Sequence, residues 1–329
     1  MPNKLNGAAR LHVVAVYFNH NRSQNILNNF RKFEAHMKDL GVTLYTVEVV
    51  LSDSEFEVTE ASNPYHIQKR AKYELFRKEN MQNLGVHRAI ELHGDDVKYL
   101  AMADADVTFI NSNIVEDTIS QLQRHKVVQM WSTAVDLGPD GQPLVFPEKG
   151  GSVIKSFAYC YQTIGLEPRE KHYNLYRHPG YAWAYRRSVW EQIDGFLDIS
   201  VLGTADHQMA WAFVGDVEIG IHGETSDNYK QRVREHLTKI KTVVNGDVGA
   251  VPGLLVHSWH GTKESRRYGE RWSVFTENNF EPDLDLVRRH DGLIELTERN
   301  PELRNGIRRY FSLRNDDCNV TKEFFELKL

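Results

Sequence analysis

The chain has 329 residues, of which 41% are hydrophobic and 26% are charged. This ordinary globular composition and this length allow one large α/β domain, or two closely joined halves, with an ample core. The formal net charge of −5 excludes a general electrostatic attraction to nucleic acid or anionic membranes, although a local basic patch is compatible with it.

The first predicted elements alternate between strands and helices. LHVVAVYF, residues 11–18, is β-branched and apolar like a buried strand, and the polar turn NHNRSQ follows it. Apolar residues then recur at helical spacing from Ile26 to Met37, Gly41 closes the helix, and VTLYTVEVVL is a second predicted strand. This order predicts a doubly wound, mostly parallel sheet with flanking helices.

The next segments continue the alternation. PYHIQKRAKYELFRKENMQNLGVHRAIEL is predicted to be mostly helical, with an interruption near Gly85, and VKYLAMADADVTFI is predicted to be one strand. NIVEDTISQLQRH is typical of a helix and KVVQMWSTAVDL of one further strand. After Leu137 a turn-rich stretch marks the passage to a second half of the chain.

Four segments of the second half matter for function. HPGYAWAYRRSVWEQIDGFLD combines a strand-like run with a short helix, and GTADHQMAWAFVG is a loop leading into a helix. DNYKQRVREHLTKIKTVVNG is an amphipathic helix, and VGAVPGLLVHSWHG is predicted to be one strand that ends in a histidine-bearing turn.

Two cysteines, Cys160 and Cys318, lie far apart and lack the spacing of metal-binding pairs. A disulfide framework is therefore not expected, and a reducing compartment fits the sequence. The N-terminal apolar stretch is too short to cross a bilayer and has no small-residue cleavage site after it. These features predict a cytoplasmic protein without membrane insertion.

Asp104 and Asp106 lie near the end of a predicted strand, where alternation places both on one face and Ala105 on the other. Carboxylates this close repel each other unless a cation or hydrogen-bond donors lie between them. Because parallel sheets bind ligands at the carboxyl ends of their strands, the pair suits Mg²⁺ or Mn²⁺ that carries a diphosphate. A solvated pair of carboxylates is the alternative.

Two histidines, His257 and His260, follow the last predicted strand and could complete a metal site begun by the aspartates. A zinc-protease motif is excluded, because no glutamate stands between them and the spacing is one residue too short. The cations that follow could bind phosphate oxygens: Lys263, Arg266, Arg267 and Arg271. A surface turn with a solvated basic helix is the alternative.

Asp206 and His207 precede an apolar predicted helix. The Asp206 carboxylate could simply stabilise the helix N-terminus, or it could be a general base that deprotonates an acceptor hydroxyl, with His207 as the next candidate. Tyr181 and Trp183 could form a stacking surface for a sugar or a base, and packing in a strand is an equally good explanation of them.

The order of these motifs resembles that of GT-A fold glycosyltransferases. The resemblance is carried by VAVYFNHNR, MADADVTFI, GYAWAYRRSVWEQIDGFLD, GTADHQMAWAF and VPGLLVHSWHG, which lie between residues 11 and 275. The chain is similar to the family 2-type enzymes and to galactosyltransferase and polypeptide N-acetylgalactosaminyltransferase catalytic domains. This implies metal-dependent transfer of a sugar from a nucleoside diphosphate sugar, expected to be a UDP sugar, to an acceptor hydroxyl. Inversion is expected if Asp206 is the base, and the stereochemistry stays open because the polypeptide N-acetylgalactosaminyltransferases are retaining.

The resemblance implies roles on the donor side. Asp104 and Asp106 match the D-x-D motif, with Asp104 nearer the ribose and Asp106 on Mn²⁺ or Mg²⁺, and both belong to the expected metal set. His257 matches the late metal ligand, and His260 is the fallback. The expected nucleotide-sugar contacts are Tyr17, Asn19, Arg22, Asp104, Lys263, Arg266 and Arg267.

It also implies roles on the acceptor side. Asp206 occupies the position of the catalytic base, although the loop here is Ala-Asp-His where the family often has Gly-Glu-Asp. Asp198, in DGFLD, is expected to support the acceptor together with Tyr181 and Trp183. Residues 1–137 are then a nucleotide-sugar-binding half, residues 138–275 an acceptor-binding and catalytic half, and residues 276–329 a partly helical extension.

Other functions stay open at this point. A viral-type DNA glycosyltransferase that acts on a hydroxymethylated base in the host cytoplasm is compatible with the basic stretch KESRRYGERW. A nucleotidyltransferase shares the sheet and the carboxylates but usually has a glycine-rich loop where this chain has NHNRSQ. A non-catalytic sugar- or nucleotide-binding module is the third alternative. The acceptor of a transferase is open among a glycan, a small molecule, a protein and a modified DNA base.

Overall fold

The computed structural model describes residues 10–145, 151–165 and 178–318. Within these residues the strands form a seven-stranded sheet, a four-stranded sheet and a two-stranded ribbon. The strands are β1 (Leu11–Tyr17), β2 (Thr43–Leu51), β3 (His66–Ala71), β4 (Tyr99–Ala103), β5 (Val107–Phe109), β6 (Val127–Gln129), β7 (Thr133–Asp136), β8 (Val153–Lys155), β9 (Ala182–Arg186), β10 (Val248–Ala250), β11 (Leu254–His257), β12 (Leu286–Arg288) and β13 (Ile294–Leu296).

The helices flank the sheets and follow the strands along the chain. They are α1 (Gln24–Asp39), α2 (Lys78–His93), α3 (Ile114–Leu122), α4 (Phe157–Ile164), α5 (Arg187–Gln192), α6 (Ala205–Phe213), α7 (Asp227–Val244), α8 (Arg271–Glu277), α9 (Pro282–Asp285) and α10 (Pro301–Ser312). Among the described residues, no helix combines the length and apolar character needed to cross a membrane.

The large sheet has the order β10-β6-β9-β4-β1-β2-β3. Neighbouring strands within this sheet pair in parallel, except that β9 lies between β4 and β6 and runs antiparallel to both. Alternate residues of β1 enter different core clusters: Val13 packs with Phe30 and Phe33 of α1, and Val14 packs with Met81 and other residues of α2. The predicted α/β fold, with a mostly parallel sheet covered by helices on both faces, is confirmed.

The segment from residue 64 to residue 92 differs from its prediction. Its first part is not helical, because His66–Ala71 pairs in parallel with β2 as an edge strand. The predicted interruption near Gly85 is also wrong, since α2 runs unbroken from Lys78 to His93. A Cβ atom at Gly85 would collide with the Val14 side chain, so the glycine lets α2 pack closely on β1 and does not break the helix.

Three segments predicted as single strands are each two strands. The first of each pair, β4, β6 and β10, belongs to the large sheet, and the second, β5, β7 and β11, belongs to the four-stranded sheet of order β5-β11-β7-β8. Hydrophobic periodicity continues across the switch, so it does not mark the point where a strand changes sheet. Strands from both sides of the predicted boundary at residues 137 and 138 enter both sheets, and the division into halves stays a prediction.

Candidate functional site

The site lies where the chain passes from the large sheet to the small one. Asp104 and Asp106 lie between β4 and β5, so they occupy the switch point and not the interior of one strand. The β11 strand lies between β5 and β7, and the register places His257 beside Val107 on one side and beside Asp136 on the other. Strand pairing therefore brings together residues that are far apart in the sequence.

Asp106, His257 and His260 form a cluster with ligand-type atoms within 4.8 Å of one another. The Nε2 atoms of His257 and His260 lie 3.5 Å and 3.2 Å from the same oxygen, Asp106 Oδ2. The other oxygen, Asp106 Oδ1, is buried and has no hydrogen-bond partner among the described residues. A buried carboxylate oxygen without a partner is costly, so this donor set fits a divalent cation.

The charges of this cluster depend strongly on one another. Burial would raise the pKa of Asp106, but the imidazoles of His257 and His260 outweigh burial and hold that pKa well below its ordinary value. For His257, burial alone would lower the pKa. The carboxylates of Asp106 and Asp136 outweigh burial and raise the pKa of His257 to about 10. The negative charge of these carboxylates therefore favours a positive charge at this point, which either a protonated His257 or a bound cation would supply.

Asp104 lies beside this cluster and has a different partner. Its Oδ1 atom is 2.5 Å from Nζ of Lys78, the first residue of α2, and its backbone N–H donates to the carbonyl of Tyr181 at 2.7 Å. Burial raises the pKa of Asp104, Lys78 offsets part of that rise, and Asp106 adds to it. The Lys78 ammonium neutralises the Asp104 carboxylate in this structure. The metal-ligand role of Asp104 stays a prediction.

Asp206 lies in the first turn of α6 and lines a small pocket together with Lys78, Glu79 and Trp183. A Cβ atom on Gly180 would lie 3.0 Å from Asp206 Oδ2, so the glycine leaves room for the carboxylate. Burial would raise the pKa of Asp206, but Lys78 and His178 outweigh it and hold the pKa below its ordinary value. Asp206 is therefore an ionised carboxylate at the pocket wall.

Tyr181 is held by two side-chain contacts at the edge of the pocket. Its hydroxyl donates to Asp136 Oδ1 at 2.5 Å, and its ring stacks on His178 with centroids 4.2 Å apart. Its backbone lies in the left-handed region at φ +74°, which is uncommon for a bulky residue and concentrates near functional sites. Trp183 is 5% exposed, and its Nε1 donates to the carbonyl of Pro179. Both residues line the pocket, and their stacking role stays a prediction.

The predicted cations differ in where they point. Arg266 is 7% exposed, its guanidinium lies 2.6 Å from His260 Nε2, and it stacks over the Tyr268 ring. Arg267 forms an ion pair with Glu270 at 2.7 Å, and Lys263 is exposed. The stretch KESRRYGERW is therefore not a uniformly solvated basic surface, because Arg266 turns inward to the cluster of Asp106, His257 and His260.

Other predicted residues lie in local hydrogen-bond networks. Tyr17 donates to Glu57, and Asn19 donates to the Tyr17 hydroxyl. Arg22 is exposed and reaches Ser54. These contacts order the turn after β1, where a nucleotide contact stays a prediction.

Asp198 and His207 both contact other side chains of the protein. Asp198 accepts from the guanidinium of Arg288 at 2.8 Å and does not line the pocket described above. Burial lowers the pKa of His207, and its ring lies 6.4 Å from that of Trp211. The acceptor-binding role of Asp198 and the catalytic role of His207 stay predictions.

Four residues of the site were not singled out by sequence reasoning: Lys78, Glu79, Asp136 and Asp316. Lys78 and Glu79 begin a helix whose charges look like an ordinary solvated first turn, yet their side chains face the pocket. Asp136 ends a strand, which is the same signal that pointed to Asp104, and it could have been found in this way. Asp316 carries no local signal, because only the fold brings it to His260.

Comparisons with known proteins give structural neighbours only. No protein-family model and no curated protein matches the chain. A mutant of β1,4-galactosyltransferase 7 from Drosophila, in complex with manganese, UDP-Gal and xylobiose, has a TM-score of 0.39 and 13% identity over 89% of this chain and 98% of that one. Mannosyl-3-phosphoglycerate synthase from Rubrobacter xylanophilus has a TM-score of 0.39 and 11% identity over 88% and 85%.

A further neighbour is glucosyl-3-phosphoglycerate synthase from Mycobacterium tuberculosis, in complex with Mn²⁺, UDP and phosphoglyceric acid. It has a TM-score of 0.36 and 8% identity over 82% of this chain and 75% of that one. Such low scores carry no argument about activity, so the functional conclusion rests on the residues of the site itself.

Proposed function

We propose that this protein is a glycosyltransferase that uses a divalent cation to transfer a sugar from a nucleoside diphosphate sugar to an acceptor hydroxyl. One observation carries the proposal. The buried Oδ1 of Asp106, which has no partner among the described residues, lies in a cluster with His257 and His260. The His257 ring lies 4.9 Å from that of Tyr181, which lines the same pocket as Asp206. A cation site and a candidate base at one sheet edge are the two parts that such a transfer needs.

Asp106, His257 and His260 would hold the cation. Imidazole ligands favour Mn²⁺ over Mg²⁺, because Mg²⁺ prefers oxygen ligands and keeps several waters. When bound, the cation would neutralise the diphosphate leaving group. Arg266, which already contacts His260, is placed to contact the same phosphates.

Asp104 and Lys78 would orient the rest of the donor. Their ion pair fixes the Asp104 carboxylate beside the cluster and leaves its Oδ2 atom for a ribose or sugar hydroxyl. The resemblance of the chain to GT-A enzymes assigns the same role to Asp104, and uridine is the expected base. The nucleotide is therefore proposed to extend from the Asp106 cluster toward the turn after β1.

Asp206 would take the proton of the acceptor hydroxyl. Its lowered pKa keeps it ionised, so it can accept a proton at neutral pH, although a weaker base depends more on close placement of the hydroxyl. Direct attack by that hydroxyl on the sugar would invert the anomeric centre, and inversion is the stereochemistry that we propose.

Asp106→Asn tests the proposal. It keeps the shape of the side chain but removes a charged ligand, so Mn²⁺-dependent binding of uridine diphosphate should weaken sharply in calorimetry. Asp39→Asn, at an exposed position of α1, is the matched control and should bind like the wild type. Unchanged Mn²⁺-dependent binding by Asp106→Asn would contradict the proposed cation site.

A second measurement separates a transferase from the alternatives. Nucleotide sugars should be hydrolysed slowly by the Mn²⁺-loaded protein even without an acceptor. A sugar- or nucleotide-binding module would bind the donor and leave it intact, and a nucleotidyltransferase would instead release pyrophosphate from a nucleoside triphosphate. Either of these results would replace the proposal.

A further inference from the structure

We infer that Asp136 and Asp316 are positioning residues that orient the two imidazoles of the candidate cation centre, and that the C-terminal segment 314–318 is thereby part of that centre. The inference rests on the proposed function in taking Asp106, His257 and His260 as the ligands. It adds two carboxylates, from distant parts of the chain, that act through the histidines.

The first carboxylate–histidine pair joins β7 to β11. His257 Nδ1 lies 3.0 Å from Asp136 Oδ1, while His257 Nε2 faces Asp106 Oδ2. Asp136 is 7% exposed, and its Oδ1 also accepts from the Tyr181 hydroxyl, so its position is fixed from two sides. With a cation in place of the Nε2 proton, a proton on Nδ1, donated to Asp136, would leave the lone pair of Nε2 directed at that cation.

The second pair repeats this arrangement with another element. His260 Nδ1 lies 3.4 Å from Asp316 Oδ1, and His260 Nε2 lies 3.2 Å from Asp106 Oδ2. Asp316 is 4% exposed and is held by Arg314, whose guanidinium donates to it at 2.8 Å. Each imidazole therefore has a buried carboxylate on its outer nitrogen and turns its inner nitrogen to Asp106. The inner nitrogen of His260 also accepts from the Arg266 guanidinium at 2.6 Å, a contact that a bound cation would replace.

The segment 314–318 is fixed on both sides of Asp316. Asp317 accepts from the Ser23 hydroxyl and from the backbone N–H groups of Gln24 and Asn25 at the start of α1. The Cys318 carbonyl accepts from the indole of Trp259, which lies between the two histidines in sequence. The segment thus joins the start of α1 to the histidine turn.

A merely structural role is the competing explanation. The ion pair between Asp316 and Arg314 could stabilise the segment without any effect on the cation. Asp317 provides a matched control for this role, because it is the neighbouring carboxylate and accepts three hydrogen bonds at the start of α1. Among the described residues it has no hydrogen bond to a histidine. Loss of a carboxylate partner on a ligating histidine typically costs 10- to 100-fold in metal affinity.

The test measures Mn²⁺ binding to the full chain, without nucleotide, by electron paramagnetic resonance titration. Asp316→Asn and Asp136→Asn should each weaken Mn²⁺ binding by about 10- to 100-fold, whereas Asp317→Asn should bind with nearly wild-type affinity even if its melting temperature falls. The absorption bands of Co²⁺-loaded protein should shift in the first two variants and stay unchanged in the third.

A double-mutant cycle separates action through His260 from a general loss of structure. Asp316→Asn should weaken Mn²⁺ binding little further in a His260→Ala background. Asp316→Glu keeps the charge for Arg314, moves the oxygen relative to His260, and serves if Asp316→Asn does not fold; it too should bind Mn²⁺ more weakly. Wild-type affinity in folded Asp316 and Asp136 variants would overturn this inference and leave the proposed function standing, whereas absence of Mn²⁺ binding by the wild type would overturn both.

Discussion

The Asp104 carboxylate and the Lys78 ammonium lie 2.5 Å apart, at the point where β4 ends and α2 begins. The two side chains are 27% and 15% exposed, so the pair is largely shielded from water. Asp206 also interacts favourably with Lys78. The Lys78 ammonium therefore balances two carboxylates, Asp104 and Asp206, and its removal leaves both without this cation.

Lys78→Met should therefore destabilise the protein. Removing one partner of a fully buried ion pair costs about 3–5 kcal/mol, and the partial exposure of Asp104 reduces this to about 2–3 kcal/mol in the free energy of unfolding. Urea denaturation at neutral pH measures it. Lys32→Met, at an exposed position of α1, is the control and should change stability by less than about 0.5 kcal/mol. Equal stability of the two variants would show that the pair contributes nothing.

Glu79→Gln should change the pH dependence of stability. Burial raises the pKa of Glu79 from 4.5 to about 8, with Lys78 opposing the rise. Between these values the unfolded chain loses a proton that the folded protein keeps, so stability falls as pH rises, by up to about 1.4 kcal/mol per pH unit.

The glutamine variant removes this titration. Relative to the wild type, its free energy of unfolding should rise steadily from pH 5 to pH 8, as measured by urea denaturation at each pH. Glu116→Gln, in the first turn of α3, is the control. Its free energy of unfolding should depend on pH as that of the wild type does, if the effect belongs to Glu79. Parallel stability curves for Glu79→Gln and the wild type would contradict the raised pKa.

Asp206→Asn distinguishes a catalytic base from a residue that only stabilises the first turn of α6. If Asp206 is the base, transfer should fall by roughly a hundred- to ten-thousand-fold while donor affinity barely changes. If it only stabilises the first turn of α6, activity should survive, because the substitution then removes only a charge–dipole interaction of about 0.3–1 kcal/mol. Asp227→Asn, in the exposed first turn of α7, is the matched control. Near-normal transfer by Asp206→Asn would remove it from the mechanism and make His207 the next candidate.

Arg266→Ala should weaken Mn²⁺-dependent binding of uridine diphosphate by about tenfold or more, because a charge-assisted contact is lost. Arg308→Ala, at an exposed position of α10, is the matched control. It should bind within about twofold of the wild type. Calorimetry compares the two, and equal losses would show that the contact with His260 does not reflect a role at the diphosphate.

Local sequence was sufficient for the elements whose pattern is uninterrupted. The apolar spacing between Ile26 and Met37 predicted α1, and the β-branched run before Tyr17 predicted β1, because both patterns report which face of an element is buried. The same reasoning predicted that Asp106 and His257 would end strands at one edge, and the structure places them in one cluster.

The sequence by itself thus determined the alternation of strands and helices, the mostly parallel sheet and the candidate ligands. Only the tertiary structure decided that the strand bearing Asp104 changes sheet, that Lys78 neutralises Asp104, and that Asp136 and Asp316 contact the two histidines. The physical reason is that periodicity records burial along one segment, whereas these contacts depend on which strands pair. The order β5-β11-β7 brings residues more than a hundred positions apart into hydrogen-bonding distance, and no local pattern contains that order.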